Sequence, residues 1–269
     1  LSHRGLVALT LLLLATVSAC GEPVATPEPV FLEAAGSTAM APLVEELAAA
    51  FSAQSPRISL EVSSLGTGFG LEALRTGEVD FALASWLPTD MSPDWQATAI
   101  ARDGIAIVVH PDNPVDGLGL LQLQDLFSGR IYEWTPVGGR AAQGVVQPVS
   151  REAGSGTRAA FEALAMGDQA VTPRAVVAIS SQGVIDYVAA HPDAIGYVSM
   201  AFLTPEVKVL KVEGEQPTPE TVERASYALT RELWLVTAGP PAEPVQEFLS
   251  FVLSPAGQQI AGRRYGRIR

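Results

Sequence analysis

The chain has 269 residues, room for two domains of ordinary size, and its 48% apolar and 17% charged residues describe a packed core rather than a disordered chain. The net charge is −12 and the 17 basic residues form no stripe, which excludes the electrostatic footprint of a nucleic-acid binder. The single cysteine, Cys20, excludes an intramolecular disulfide, and with three histidines it offers no zinc-ligand spacing, so no metal and no cofactor are expected.

Residues 1–19 read as a signal peptide. Arg4 supplies the positive charge, and 6–17 is an apolar run of signal-core length, too short to span a bilayer comfortably. It ends in Val17-Ser18-Ala19-Cys20, which resembles the bacterial lipobox. That resemblance implies cleavage before Cys20, a lipid on its sulfur, and an extracytoplasmic protein anchored to the cell membrane. An ordinary secretory signal with a chance cysteine is the alternative. Two or more acyl chains suffice for stable attachment. Residues 20–30, with Pro23, Pro27 and Pro29, read as an extended tether.

A strand over 30–35 runs into Gly36-Ser37-Thr38-Ala39-Met40-Ala41-Pro42 and a helix over 43–53, whose Leu43, Val44, Leu47, Ala50 and Phe51 share one face. Ser37 or Thr38 suits the cap, and Pro42 suits the first turn. This turn serves as a cap alone or, through its hydroxyls, as part of an anion site. A second strand, 58–62, leads into Ser63-Ser64-Leu65-Gly66-Thr67-Gly68-Phe69-Gly70 and a short helix over 71–76. The spacing is GxGxG rather than GxGxxG, and no Gly-Lys-Ser/Thr follows, so neither a dinucleotide fingerprint nor a P-loop is present. A third strand, 79–84, ends in Ser85-Trp86-Leu87-Pro88. Three strands each followed by a polar turn predict a parallel sheet whose carboxyl ends share one crevice.

A buried strand is predicted over 105–110, a helix over 120–127 and a strand over 145–149. The last delivers the chain to Arg151-Glu152-Ala153-Gly154-Ser155-Gly156-Thr157-Arg158 and a helix over 159–166. Here a fixed positive charge precedes a Gly-Ser-Gly turn, two hydroxyls and the unpaired N–H groups of a helix start. An anion fits such a place, with a charge-assisted hydrogen bond from Arg151. The plain alternative is a glycine-rich turn with an exposed arginine. Further on, Ser180-Ser181-Gln182 caps a helix to residue 190, and a strand from Gly196 returns toward the first part of the chain. Strands follow at 207–212 and 233–237, with helices starting at Thr218-Pro219, over 245–253 and at Ser254-Pro255. His110 and His191 both stand in His-Pro-Asp triplets and read as turn residues, which leaves no histidine placed as a catalytic base.

Taken together, seven motifs in order resemble the phosphate-binding lipoproteins of bacterial high-affinity phosphate ABC transporters, of the periplasmic-binding-protein type II family. They are Gly36-Ser37-Thr38 with Pro42, Gly66-Thr67-Gly68-Phe69-Gly70, Arg102-Asp103-Gly104-Ile105-Ala106, His110-Pro111-Asp112-Asn113-Pro114, Leu126-Phe127-Ser128-Gly129-Arg130-Ile131-Tyr132-Glu133-Trp134, the Arg151 turn, and Ala194-Ile195-Gly196-Tyr197-Val198. The resemblance implies an α/β fold of two lobes, two mixed sheets flanked by helices and joined by a two-strand hinge. It puts 31–106 plus 201–269 in lobe 1 and 107–200 in lobe 2. It implies a monomeric binding protein, not an enzyme, that captures inorganic phosphate and delivers it to an ABC permease and its ATPase. Thr38 would donate its hydroxyl and Ala39 its N–H. Thr67 stands at the family's serine position, Ser85 lines the site, and Arg151, Ser155, Gly156 and Thr157 form a third group. One position departs: after the Ala84-Ser85 pair the family carries a charged residue, aspartate in its best-known members, and this chain carries Trp86. An indole donates but does not accept. The same scaffold binding sulfate or arsenate is therefore the alternative, with a phosphatase built on Ser155 or Thr157 a distant third.

Overall fold

The computed structural model describes residues 28–141 and 144–268. The signal segment 1–19, Cys20 and most of the tether lie outside the described residues. The chain opens with three parallel strands, β1 (Val30–Gly36), β2 (Ile58–Ser63) and β3 (Phe81–Ala84), arranged β2-β1-β3. The connections are α1 (Ala41–Gln54) and α2 (Thr67–Thr76). α1 forms because Leu43, Val44, Leu47, Ala48 and Phe51 fall on one buried face, with Pro42 in the first turn, where a missing N–H is harmless. α2 starts earlier than the predicted 71, at Thr67, and takes Gly68 and Gly70 into the helix. Close packing decides this: a Cβ on Gly70 would lie 2.3 Å from the Ala35 carbonyl oxygen, so only glycine lets the helix rest on β1.

The strand β4 (Gln96–Val109) runs much longer than the predicted 105–110. Its second half, Ile105 to Val109, is fully buried and, but for Ala106, β-branched, the mark of a central strand. Its first half is only partly buried and becomes a strand because a partner arrives late in the chain. That partner is β10 (Thr230–Thr237), antiparallel to β4 over Gln96–Gly104 and to β3 on its other edge.

Beyond Gly104 the same strand β4 carries a second group. It comprises β5 (Gly117–Leu118), β6 (Gln147–Arg151), β7 (Val176–Ala178), β8 (Ala194–Ser199) and β9 (Lys208–Val212). β8 and β9 pair antiparallel with β4, then β6 pairs parallel with β8 and β7 with β6. Helices α3 (Leu120–Ser128), α4 (Gly156–Phe161) and α5 (Ser181–Ala190) pack on this group. α4 runs on through a wide π-turn, Glu162–Met166. Phe161 stacks on Tyr197 at 4.1 Å between centroids, and Phe127 meets Phe161 at 4.7 Å, joining α3 and α4 to β8. Short α6 (Pro219–Glu223) leads back to β10, then α7 (Glu243–Val252) and α8 (Pro255–Ala261) cover α1, with Phe248 and Phe251 against Phe51.

The two mixed groups thus lie on one hydrogen-bonded path, β2-β1-β3-β10-β4-β8-β6-β7, and share β4. The crossings between them are β4 itself and the stretch from β9 through α6 to β10. Two placements need correction. The strand from Gly196 does not return to the first group, because β8 pairs with Ile105 to Val109 and with β6. A division at 200/201 assigns β9 to the first group, yet β9 pairs with Ile107 to Val109 on the far half of β4. The apolar content of 207–212 shows a strand without showing its edge.

Candidate functional site

Three polar turns at strand ends meet where the two groups face each other. The first follows β1. Gly36 accepts from Gly66 N–H at 2.8 Å, which ties the first turn to the second. Ser37, 3% exposed, caps the 3-10 turn Thr38–Met40 by accepting from Ala39 N–H at 3.3 Å, and donates its hydroxyl to Ser85 at 2.8 Å. Ala39 is fully buried, and its carbonyl accepts from the Tyr265 hydroxyl at 2.9 Å. That bond holds the turn from behind, and burial raises the Tyr265 pKa well above its usual range, so the donor keeps its proton.

The second turn brings Thr67 as the first residue of α2. Its Oγ1 accepts from Ser85 N–H at 3.2 Å and lies 3.4 Å from the Ser85 hydroxyl. Ser85, just past β3, is fully buried and links Ser37 to Thr67. Ser64 in the same loop has a buried hydroxyl with no partner among the described residues.

The third turn follows β6. Arg151 is 1% exposed although it carries a full charge. Its Nε and Nη2 form a two-pronged pair with Glu152 at 2.8 and 2.9 Å, and Nε also reaches the Ala178 carbonyl at 3.3 Å. Nη1 donates to Ser181 at 3.2 Å, and Nη2 donates across the cleft to Thr38 at 3.3 Å. Such pairing is what keeps a buried guanidinium tolerable. Below it, Tyr197 accepts from Arg151 N–H at 3.2 Å and shares a 2.8 Å bond with Ser150. Burial pushes the Tyr197 hydroxyl up to about 12. Ser155 caps α4 by accepting from Arg158 N–H at 3.3 Å. Arg158 is itself held by Glu162 at 2.8 Å and by the Arg151 carbonyl at 3.1 Å, and its bond to Glu162 raises its pKa.

Gly156 closes the arrangement. A Cβ there would fall 2.3 Å from Thr67 Oγ1 and 2.5 Å from Ser85 Oγ, so any side chain would force the two groups apart. Gly68 N–H donates to the Gly154 carbonyl at 3.0 Å across the same seam. Thr38, Ala39, Thr67, Ser85, Arg151, Ser155 and Gly156 thus gather along one seam, while Thr157 is buried in the first turn of α4. Apart from Glu152, whose two oxygens already serve Arg151, the side-chain groups named along it are hydroxyls and a guanidinium, and the backbone carbonyls named there are each bonded to a donor. Helix starts with their unpaired N–H groups add positive potential, so the seam suits an anion.

Two contributors were not assigned from sequence. Ser181, fully buried, holds Arg151 Nη1, and Glu152 fixes the plane of the guanidinium. The Ser180-Ser181 pair at a helix start carried the same hydroxyl signal as the other turns. Trp86 is partly buried against the main core. Asp80 accepts from Glu33 N–H at 2.8 Å and Asp90 is exposed, so neither takes the place of a charge at 86 in this geometry. His110 accepts from Asp112 N–H, and His191 stacks on Tyr187 at 3.9 Å, each engaged outside the seam. Among the described residues no group of three or more His, Cys, Asp or Glu could hold a metal ion, and no helix is long and apolar enough to cross a membrane.

Comparison with known proteins places this geometry in context. Residues 23–256 match the family model of the PBP superfamily domain. The chain is 30% identical over 228 residues to the phosphate-binding protein PstS of Bacillus subtilis, covering 83% of this chain and 75% of that one. It is 28% identical over 250 residues to a Staphylococcus epidermidis phosphate-binding protein PstS, covering 86% and 76%. Among solved structures it superposes with a TM-score of 0.83 and 31% identity on a Clostridium perfringens protein assigned as a phosphate ABC transporter substrate-binding protein, whose crystal structure holds bound phosphate, covering 89% of this chain and 100% of that one. An ABC-type phosphate transport receptor of Vibrio cholerae follows at TM-score 0.74 and 30% identity, covering 87% and 99%.

Proposed function

The chain belongs to the PBP superfamily and, within it, to the family of the phosphate-binding PstS proteins; on that premise we propose that it captures inorganic phosphate between its two strand groups and delivers it to an ABC permease and its ATPase. One observation carries the reading. A buried arginine of the second group, Arg151, already reaches the hydroxyl of Thr38 in the first, with Thr67, Ser85 and Gly156 packed at the same seam.

The residues act as follows. Thr38, Thr67, Ser85, Ser155 and Thr157 offer hydroxyls, and Ala39 and Gly156 offer backbone N–H groups. Arg151 adds the full charge. In the closed form Arg151 bonds to Thr38 and Thr67 to Ser85, and a bound oxyanion replaces such bonds with charge-assisted ones. Burial strengthens each of them. β4 and the β9–α6–β10 connection serve as the hinge between two lobes, and closure follows when the anion satisfies donors from both sides. The site binds and releases without turnover, and the chain works as a monomer. Cys20 carries the lipid that anchors the protein outside the cytoplasm once 1–19 is removed, with 20–30 as tether. Cys20→Ala should then leave the membrane fraction, and retention there would refute the anchor.

Phosphate stripped exhaustively from the protein and then restored at about 100-fold over its dissociation constant should raise stability by about 2.7 kcal/mol. No shift in the melting transition would overturn the reading. A second reading, sulfate or arsenate on the same scaffold, draws on Trp86, which cannot accept the proton of hydrogen phosphate. A preference for phosphate over sulfate of less than about tenfold, or 1.4 kcal/mol, in competition calorimetry favours that second reading.

A further inference from the structure

The seam is rich in donors, and a hydrogen phosphate ion brings a donor of its own. At neutral pH inorganic phosphate keeps a P–O–H proton, whereas sulfate is fully ionised. A site that tells the two apart needs an acceptor facing the anion. The N–H groups and guanidinium of the seam serve either ion alike, and the Trp86 indole only donates.

The carboxylate at the seam is that of Glu152. Its Oε2 accepts from Arg151 Nε at 2.8 Å and its Oε1 from Nη2 at 2.9 Å. Nη2 is also the nitrogen that crosses to Thr38, at 3.3 Å, so Oε1 belongs to the side of the pair that faces the first group. It faces the second turn as well: a Cβ on Gly66, next to Thr67, would stand 3.9 Å from Oε1. Oε1 thus lies between the third turn and the second, beside the guanidinium nitrogen aimed at the first. A carboxylate has about four lone-pair sites, so pairing with Arg151 leaves acceptor capacity unused. The side chain is partly exposed, which leaves one oxygen room to turn while the other stays on Nε.

We propose that Glu152 is a specificity-determining residue, whose Oε1 accepts the proton of hydrogen phosphate while Oε2 remains on Arg151 Nε. The inference rests on the reading of the seam as a phosphate site. The ion takes Nη2 from Oε1 and from Thr38, and its P–O–H then donates to the freed oxygen. Sulfate in the same place sets a bare oxygen against the carboxylate, and like charges at that distance repel. Arg151 and Glu152 are neighbours in the chain, so the cation that draws any oxyanion and the anion that favours a protonated one are placed together.

The test is competition calorimetry of the full chain with phosphate and sulfate. Wild type should prefer phosphate by more than about tenfold. Glu152→Gln keeps the shape, removes the charge and offers sulfate an amide N–H. The preference should then fall at least tenfold, with phosphate weakening while sulfate holds or tightens. A glutamate that only props Arg151 would cost both anions alike, since Arg151 serves both. A fall of less than tenfold in the preference overturns the assignment and leaves phosphate capture standing. Should the variant fold poorly, monofluorophosphate on wild type puts the same question, because its fluorine is close to a hydroxyl in size and carries no proton. Binding at least tenfold weaker than phosphate supports the acceptor, and binding within tenfold overturns it. A wild-type preference under tenfold leaves Glu152 nothing to decide and overturns it too. No binding of phosphate in wild type would overturn the seam, and the role of Glu152 with it.

Discussion

Two arginines are buried among the described residues, and they are answered in opposite ways. Arg231 on β10 donates through Nε and Nη2 to Asp103 on β4 at 3.0 and 2.7 Å, and Ser199 at the end of β8 donates to the other Asp103 oxygen at 2.8 Å. Both charged side chains are sealed, at 1% and 0% exposure. Burial pushes the Asp103 carboxyl up, and Arg231 draws it back. Arg151 is as deeply buried, but its carboxylate partner, Glu152, is 26% exposed, and its remaining bonds go to hydroxyls and a carbonyl. Arg231 is neutralised from within and joins three strands at the crossing between the groups. Arg151 is held by Glu152, Ser181 and Thr38, partners that the proposed anion would displace. The difference separates a charge that fastens the fold from one that, on the proposed reading, is kept for a ligand.

Breaking the first pair should cost the most. Asp103→Ala leaves the Arg231 charge buried without its counter-ion, and urea denaturation should show a loss of about 3–5 kcal/mol. The phosphate affinity of the molecules that remain folded should change little. A loss under about 1 kcal/mol would place Arg231 in contact with water and dissolve the contrast.

Arg151→Ala should invert the pattern. Phosphate binding, by calorimetry, should weaken by about 2–5 kcal/mol, as when one member of a buried charged pair is removed. Stability without ligand should fall far less than in Asp103→Ala, because Glu152 can regain water. Near-wild-type affinity would move the site elsewhere.

The smallest effect sharpens what lies under Arg151. Tyr197 is held up to about 12, above an ordinary value of about 10. A group whose folded pKa is raised contributes stability that is whole below the unfolded value and lost as pH climbs through the folded one. The protein should therefore lose about 2 kcal/mol between roughly pH 10 and pH 12 from this group. Tyr197→Phe, which keeps the stacked ring, should be weaker at neutral pH and should flatten that alkaline slope. An unchanged slope in the variant would assign the loss to other tyrosines.

The three turns were legible in the sequence because each is a local cluster of glycine and hydroxyl residues, and a local cluster needs no partner to be noticed. The Arg151 turn read from sequence as an anion site or a plain glycine-rich turn with an exposed arginine. The arginine is in fact buried, since Glu152, Ser181 and Thr38 surround it. The front half of β4 was not legible. It is a strand because β10 lies along it, and Arg231 meets Asp103 across 128 positions of chain. The early start of α2 was hidden for a related reason: glycines weaken a helix on propensity, and only contact with β1 makes Gly70 the right residue. The position of β9 followed the same rule, with composition revealing a strand and pairing alone deciding its neighbour.

The place of β10 also sets an order in time. It sits between β3 and β4, yet it is made last of all the strands. The second group, from the far half of β4 to β9, is contiguous and precedes β10 in the chain. Domains fold as units while synthesis proceeds at about 5–20 residues per second. The group that bears Arg151 can thus be complete while the first, with β1 to β3 already outside, still lacks its central strand. The half that begins the chain thus needs the last strand of the chain to complete its sheet, and without residues 230–237 the facing edges of β3 and β4 have no partner.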